Sequence, residues 1–206
     1  MIAVIDYGMG NLRSVQKALQ RVGGDARLVR TADELARAEK IVLPGVAAFG
    51  DAMDRLRAQG LVEPLMKAIR DGRWYLGLCL GLQLLFETSY EDGEHEGLGV
   101  LAGKVVRFEF TRQQRARRLS VPHMGWNQVF RAGECPLLDG IDDGEYVYFA
   151  HSYHVVPDDD GVVATTTDYG YRFVSAVWKD NLFATQFHPE KSQQVGLKIL
   201  ENFVRC

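Results

Sequence analysis

Gly77-Leu78-Cys79-Leu80-Gly81 sets a cysteine between glycines two positions away on either side. The apolar run Trp74 to Leu78 reads as a buried strand, and Leu80, Leu84 and Leu85 recur at helical spacing. A nucleophile on so sharp a strand-to-helix turn has a strained backbone, and its neighbours must be small. The turn holds the sulfur above a sheet edge, at the positive end of the helix that follows, where thiolate is favoured over thiol. The Leu80 N–H points to where an oxyanion forms. Taken alone, the same pattern suits a small buried hydrophobe equally well.

A thiol nucleophile needs a base, and the base an orienting group. The histidines are His95, His123, His151, His154 and His188. His188 stands in Gln-Phe-His-Pro-Glu-Lys-Ser, between an apolar strand and the last helix. Pro189 keeps it out of the α region. In extended chain, residues two apart project the same way, so Glu190 can hold one imidazole nitrogen while the other faces Cys79. His95 falls in the polar, Gly-rich stretch 89–98 and reads as solvated.

The elements that must position these groups alternate in type. Apolar strands at 2–5, 26–29, 41–43 and 74–78 are separated by helical stretches near 12–22, 32–38, 48–58 and 61–71. That pattern predicts a parallel sheet covered on both faces, with ligands at the carboxyl ends of its strands. Asp6, Pro44-Gly45 and Cys79 each follow such an end. Gly8-Met9-Gly10 lacks the full Gly-x-Gly-x-x-Gly and reads as a tight turn. From about residue 99 short strands separated by turn residues (104–110, 126–130, 145–152, 162–166, 173–178, 182–187) predict an antiparallel layer. A helix over 191–204 closes the chain. The basic run 111–118 has no interleaved aromatics and reads as a solvated loop. No linker or repeat interrupts the 206 residues, so 1–206 reads as one domain.

A net charge of −3 points away from nucleic acid and anionic membranes, and no segment approaches the ~20 apolar residues of a membrane helix. Cys79, Cys135 and Cys206 fit neither a disulfide framework nor a Cys-x-x-Cys metal site, so no metal or cofactor is expected. The N-terminus lacks the pattern of a signal peptide. The chain is read as cytoplasmic and reduced.

Cys79 followed at a distance by His188 and Glu190, with Pro44-Gly45-Val46, resembles the class I (triad) glutamine amidotransferases. Asp6 to Leu12, Pro122 to Asn127 and Tyr148 to Tyr153 are similar to the branch that supplies ammonia to imidazole glycerol phosphate synthases. The resemblance runs from residue 6 to residue 192. It implies a flavodoxin-like α/β fold and a cysteine attack on L-glutamine, with ammonia passed to a (β/α)8-barrel cyclase in a heterodimer. It further implies oxyanion donors at Leu80 and Val46, and glutamine held by Gly45, Ala47, Gln83, His151, Ser152 and Tyr153. Asn11, Trp126, Asn127, Tyr148 and Lys191 then face the cyclase. Many members have glycine where Ala47 stands, and alanine resists the positive φ that glycine permits. The same chemistry feeding an anthranilate or guanine-nucleotide synthase is the alternative. The Gly125-Trp126-Asn127 block and the opening Asp6 to Asn11 oppose that alternative. A non-catalytic module, opposed by the intact triad, and a free-standing cysteine hydrolase are further readings.

Overall fold

Four largely apolar strands build the first half of the sheet, the three inner ones buried along nearly their whole length and the edge strand exposing Arg27. They are β1 (Ile2–Ile5), β2 (Ala26–Val29), β3 (Lys40–Gly45) and β4 (Trp74–Cys79). They pair in parallel, as does β13 (Leu182–Thr185) beside β4. The sheet continues antiparallel through β12 (Arg172–Lys179), β11 (Val163–Asp168), β8 (His123–Arg131) and β9 (Glu145–His151). The antiparallel strands expected of the second half therefore extend the parallel sheet. The computed structural model describes residues 1–116 and 119–206.

The helices cover both faces. α1 (Leu12–Arg21) and α7 (Gln193–Arg205) pack with Val4, Val42 and Leu76 on one side. α2 (Ala32–Ala36), α3 (Phe49–Ala58) and α4 (Val62–Arg70) pack with Ile5, Leu43 and Tyr75 on the other. α2 starts in a full capping box between Thr31 and Glu34, which satisfies donors at its first turn. Among the described residues no helix is long and apolar enough to cross a membrane.

A second, four-stranded sheet departs from the expected boundaries. It consists of β5 (Phe86–Ser89), β6 (His95–Glu96), β7 (Leu101–Arg107) and β10 (Tyr153–Pro157). β7 starts earlier than 104, and Phe108 and Phe110 leave the strand to pack among the rings of Tyr169 and Tyr171. The expected strand 145–152 is β9, which ends at His151, and the chain then enters β10, a strand in the other sheet that the sequence pattern does not predict. The chain crosses over at Ser152, whose carbonyl accepts from Phe108 N–H. His95 is half-buried rather than solvated, its ring lying where a Cβ on Gly50 would fall. Part of the basic run forms α6 (Arg112–Ala116) rather than a loop, and Arg117 and Arg118 lie outside the described residues.

Candidate active site

Cys79 ends β4 with φ 52° and ψ −100°, a conformation non-glycine residues rarely adopt. A Cβ on Gly77 would lie 2.5 Å from the Gly81 carbonyl oxygen, and one on Gly81 would lie 1.9 Å from that of Leu43. The flanking glycines thus let the turn pack on its own backbone and on β3. Pairing of Gly45 with Cys79 in the β3–β4 ladder brings the Pro44–Ala47 segment beside the sulfur. A Cβ on Gly45 would sit 2.4 Å from the Tyr7 hydroxyl, which donates to the Pro44 carbonyl.

The helix after the elbow is a single turn, α5 (Leu80–Gln83), not the longer helix that the leucine spacing predicts. The carbonyls of Leu84 and Leu85 accept instead from Leu98, Val100 and Leu101 N–H, which draws the chain into β5. So short a helix has little aligned dipole, and the sulfur's electrostatic support must come from side chains.

His188 is extended (φ −102°, ψ 95°), as Pro189 requires, and a 3-10 turn follows at Pro189–Lys191. Its Nδ1 lies 2.9 Å from Glu190 Oε1, both side chains being nearly sealed from solvent. Among the described residues Nε2 has no hydrogen-bond partner, and it is the nitrogen left to exchange a proton with Cys79. Burial pushes the His188 pKa down, but the charge and hydrogen bonding of Cys79 and of Glu190 outweigh it and raise it to about 10. Ser192 Oγ donates to the His188 carbonyl (2.6 Å) and accepts from Tyr148 N–H (3.0 Å). His188 N–H donates to the Tyr148 carbonyl at 2.9 Å. The base is thereby fastened to β9.

One cavity of about 230 Å3 collects Cys79 with all eight residues expected to bind glutamine or its oxyanion: Gly45, Val46, Ala47, Leu80, Gln83, His151, Ser152 and Tyr153. His188 and Glu190 are not in its lining. Gln83 Nε2 donates to the Tyr153 carbonyl and to Gln186 Oε1, so its free amide atom is an acceptor. The lining also includes Glu91, which sequence reasoning left in a surface loop. Glu91 Oε2 accepts from Phe49 N–H at the start of α3 (2.7 Å), and burial pushes its pKa up. An acidic residue in a polar loop carries no periodic signal, so nothing local marked it.

His151 belongs to a buried relay. Its Nδ1 lies 2.8 Å from the Tyr153 carbonyl, which can only accept, so Nδ1 carries the proton. His151 Nε2 then accepts from His123 Nδ1–H (3.1 Å), and His123 Nε2 from Asn127 Nδ2–H (3.3 Å). Burial lowers the His123 pKa to about 4, holds that of His151 well below the usual range, and lowers that of His154. These histidines fold neutral. Their stabilising effect is complete above the unfolded value near 6.5 and is lost as pH falls from there towards 4. His123 alone contributes about 3 kcal/mol of this loss. The melting temperature should accordingly drop over this window, and less steeply in His123→Gln. A profile flat from about pH 7 to about pH 4.5 would contradict the neutral relay.

Trp126 pairs with Tyr148 across β8 and β9, their rings 6.0 Å apart. Lys191 Nζ lies 5.7 Å from the centre of the Tyr148 ring. Trp126, Met124 and Tyr146 are exposed there, and Asn11 and Lys191 are also exposed. Asn127 differs: its amide nitrogen is spent inside, on His123 and on the Asp168 carbonyl.

The family model "Glutamine amidotransferase class-I" matches residues 3–206. The chain is 58% identical to the imidazole glycerol phosphate synthase subunit HisH of Syntrophotalea carbinolica, over 98% of both chains. It is 53% identical to the subunit of the same name from Aquifex aeolicus, over 98% of this chain and 95% of that one. Among solved structures, a glutamine amidotransferase superposes with TM-score 0.75 at 20% identity, covering 100% of this chain and 99% of the other. PurLQS from Thermotoga maritima does so with TM-score 0.75 at 22% identity, over 99% and 97%. At these identities the structures speak to the fold alone.

Proposed function

The chain belongs to the class I glutamine amidotransferases, and from that membership we propose that it is the glutaminase subunit of an imidazole glycerol phosphate synthase, all of residues 1–206 serving as one glutaminase unit. The observation that carries the pathway assignment is identity of 58% to such a subunit over 98% of both chains.

His188 Nε2 takes the Cys79 thiol proton, and the sulfur attacks the side-chain amide carbon of glutamine. The carbonyl electrons move to oxygen, held by the N–H groups of Leu80 and Val46. The C–N bond breaks as His188 Nε2 gives its proton to the leaving nitrogen, and ammonia departs from a thioester. His188 next takes a proton from water as the water oxygen adds to the thioester carbon; the C–S bond then breaks, glutamate leaves, and the proton returns to the Cys79 sulfur. Glu190 keeps Nδ1 protonated and the ring in place, consistent with their 2.9 Å contact. The free carbonyl of Gln83, the backbone at His151 to Tyr153 and the segment Gly45 to Ala47 hold the amino-acid end. Glu91 meets the α-ammonium of the substrate.

Neutral ammonia is the nucleophile that a downstream reaction needs, and in water it is mostly protonated. A sealed route to a partner follows from that. The partner is a (β/α)8-barrel cyclase forming imidazole glycerol phosphate and an aminoimidazole carboxamide ribonucleotide for histidine synthesis. It docks on Asn11, Trp126, Tyr148 and Lys191. The free thiols suit a reducing cytoplasm.

Glutamine hydrolysis by the chain alone, with the cyclase, and with cyclase plus its nucleotide tests this reading. The isolated chain should be nearly silent and respond to both additions; full-rate hydrolysis without the cyclase would overturn the coupling. Glu91→Gln should raise KM for glutamine about tenfold with little change in kcat, since one charge-assisted contact in the ground state is lost. An unchanged KM would remove Glu91 from the substrate's contacts.

A further inference from the structure

Gln186 lies against the reactive sulfur with no task yet given to it. Its Nε2 is 3.6 Å from Cys79 Sγ. Its Oε1 accepts from Gln83 Nε2 at 3.2 Å, and that nitrogen also donates to the Tyr153 carbonyl at 3.0 Å. The residue is fully buried, and its backbone N–H donates to the Ser175 carbonyl at 2.8 Å. A carboxamide sealed from water is costly unless partnered, and here its partners are another amide and the nucleophile.

The network settles which way the amide points. The Tyr153 carbonyl only accepts, so the nitrogen of Gln83 faces it. That nitrogen has a second proton, and Gln186 must present oxygen to take it. Nε2 is left for the sulfur. The reverse orientation would set two nitrogens face to face and aim a carbonyl oxygen at a thiolate. The thiol itself faces the Ala150 carbonyl, 3.9 Å away, which offers no donor.

We propose that Gln186 is a second hydrogen-bond donor to the Cys79 sulfur, holding it in one rotamer and supporting its charge before and during attack. This rests on Cys79 being the nucleophile. His188 then transfers the proton while Gln186, which cannot titrate, stays a fixed donor. Gln83 positions Gln186 in turn, so Gln83 acts on both the substrate and the sulfur. The titratable groups around Cys79 among the described residues are His188 with Glu190, Tyr7 just after β1, His151 from β9, and Glu91 in the same cavity; none is altered by substitution at 186.

The test reads the rate of iodoacetamide alkylation at Cys79 against pH, by mass spectrometry, on the full chain alone and with the cyclase. In Gln186→Met the alkylation midpoint should move up by about one pH unit, and kcat should fall about tenfold with KM little changed. Gln186→Glu keeps the shape but turns an acceptor to the sulfur, and should move the midpoint further. Unchanged midpoints, with activity falling only in step with melting temperature, would reduce Gln186 to packing and overturn the proposal. Should neither variant fold, the unsubstituted protein decides. The side-chain amide resonance of Gln186 in 15N-labelled chain should shift with the alkylation midpoint and cease to do so in Cys79→Ala. A resonance indifferent to pH would also overturn it. The nucleophile assignment is separate: it fails only if Cys79→Ala still hydrolyses glutamine.

Discussion

Cys79→Ala and His188→Asn should each lower glutamine hydrolysis by about 10^4-fold or more, and the double variant should lose little beyond either. Both residues act on one proton and one bond, so removing either disables the unit. Glu190→Gln should lose less, because it orients an imidazole that Ser192 and the Tyr148 carbonyl also hold through the His188 backbone. Alanine at 79 keeps the Cβ and the backbone geometry of the elbow. Circular dichroism and binding to the cyclase should therefore match those of the unsubstituted chain. Near-normal turnover in His188→Asn would pass the role of base to another histidine. His151 and His154 are poor candidates, since Nε2 of each is already engaged, by His123 Nδ1 and by the Tyr171 hydroxyl.

The second large effect concerns folding. Gly81→Ala would put a methyl carbon 1.9 Å from the Leu43 carbonyl oxygen, where the obstacle is the backbone of a buried parallel strand. Neither side can give without breaking the β3–β4 ladder. We expect a loss of about 3 kcal/mol or more in urea denaturation, and little glutaminase activity in what folds. Gly133→Ala is the contrast, with its nearest atom at an ordinary 3.7 Å, and should be close to neutral. Equal stability of the two variants would show that the elbow has more room than its packing indicates.

The parallel half of the fold was legible because a strand buried on both faces has to be apolar along its length, as Ile2 to Ile5 is. The elbow was legible because its glycines answer a local steric demand. The contact between His188 and Glu190 was legible because Pro189 holds His188 extended and Glu190 sits two residues on. What escaped depended on long-range partners. α5 stops after one turn because residues 98–101 claim the Leu84 and Leu85 carbonyls, which no periodicity within the helix reveals. β10 went unread because the chain changes sheets at Ser152 without a turn residue, so nothing local announces a new strand at 153. Glu91 and Gln186 were missed for the same reason: a polar side chain gains its role from what the fold brings against it.

The conformation of Cys79 sets reactivity against durability at a single residue. A side chain held at φ 52° and ψ −100° costs of order 1–3 kcal/mol, and the cost falls on the one residue whose sulfur cannot be exchanged. Glycine there would release that strain, with its greater freedom in the unfolded chain offsetting only part, roughly 0.5–1 kcal/mol, of the gain. A lineage freed from the need to hydrolyse glutamine would thus become more robust by drifting at 79. The strained backbone at 79 is accounted for by the chemistry of the sulfur and not by any need of the turn itself.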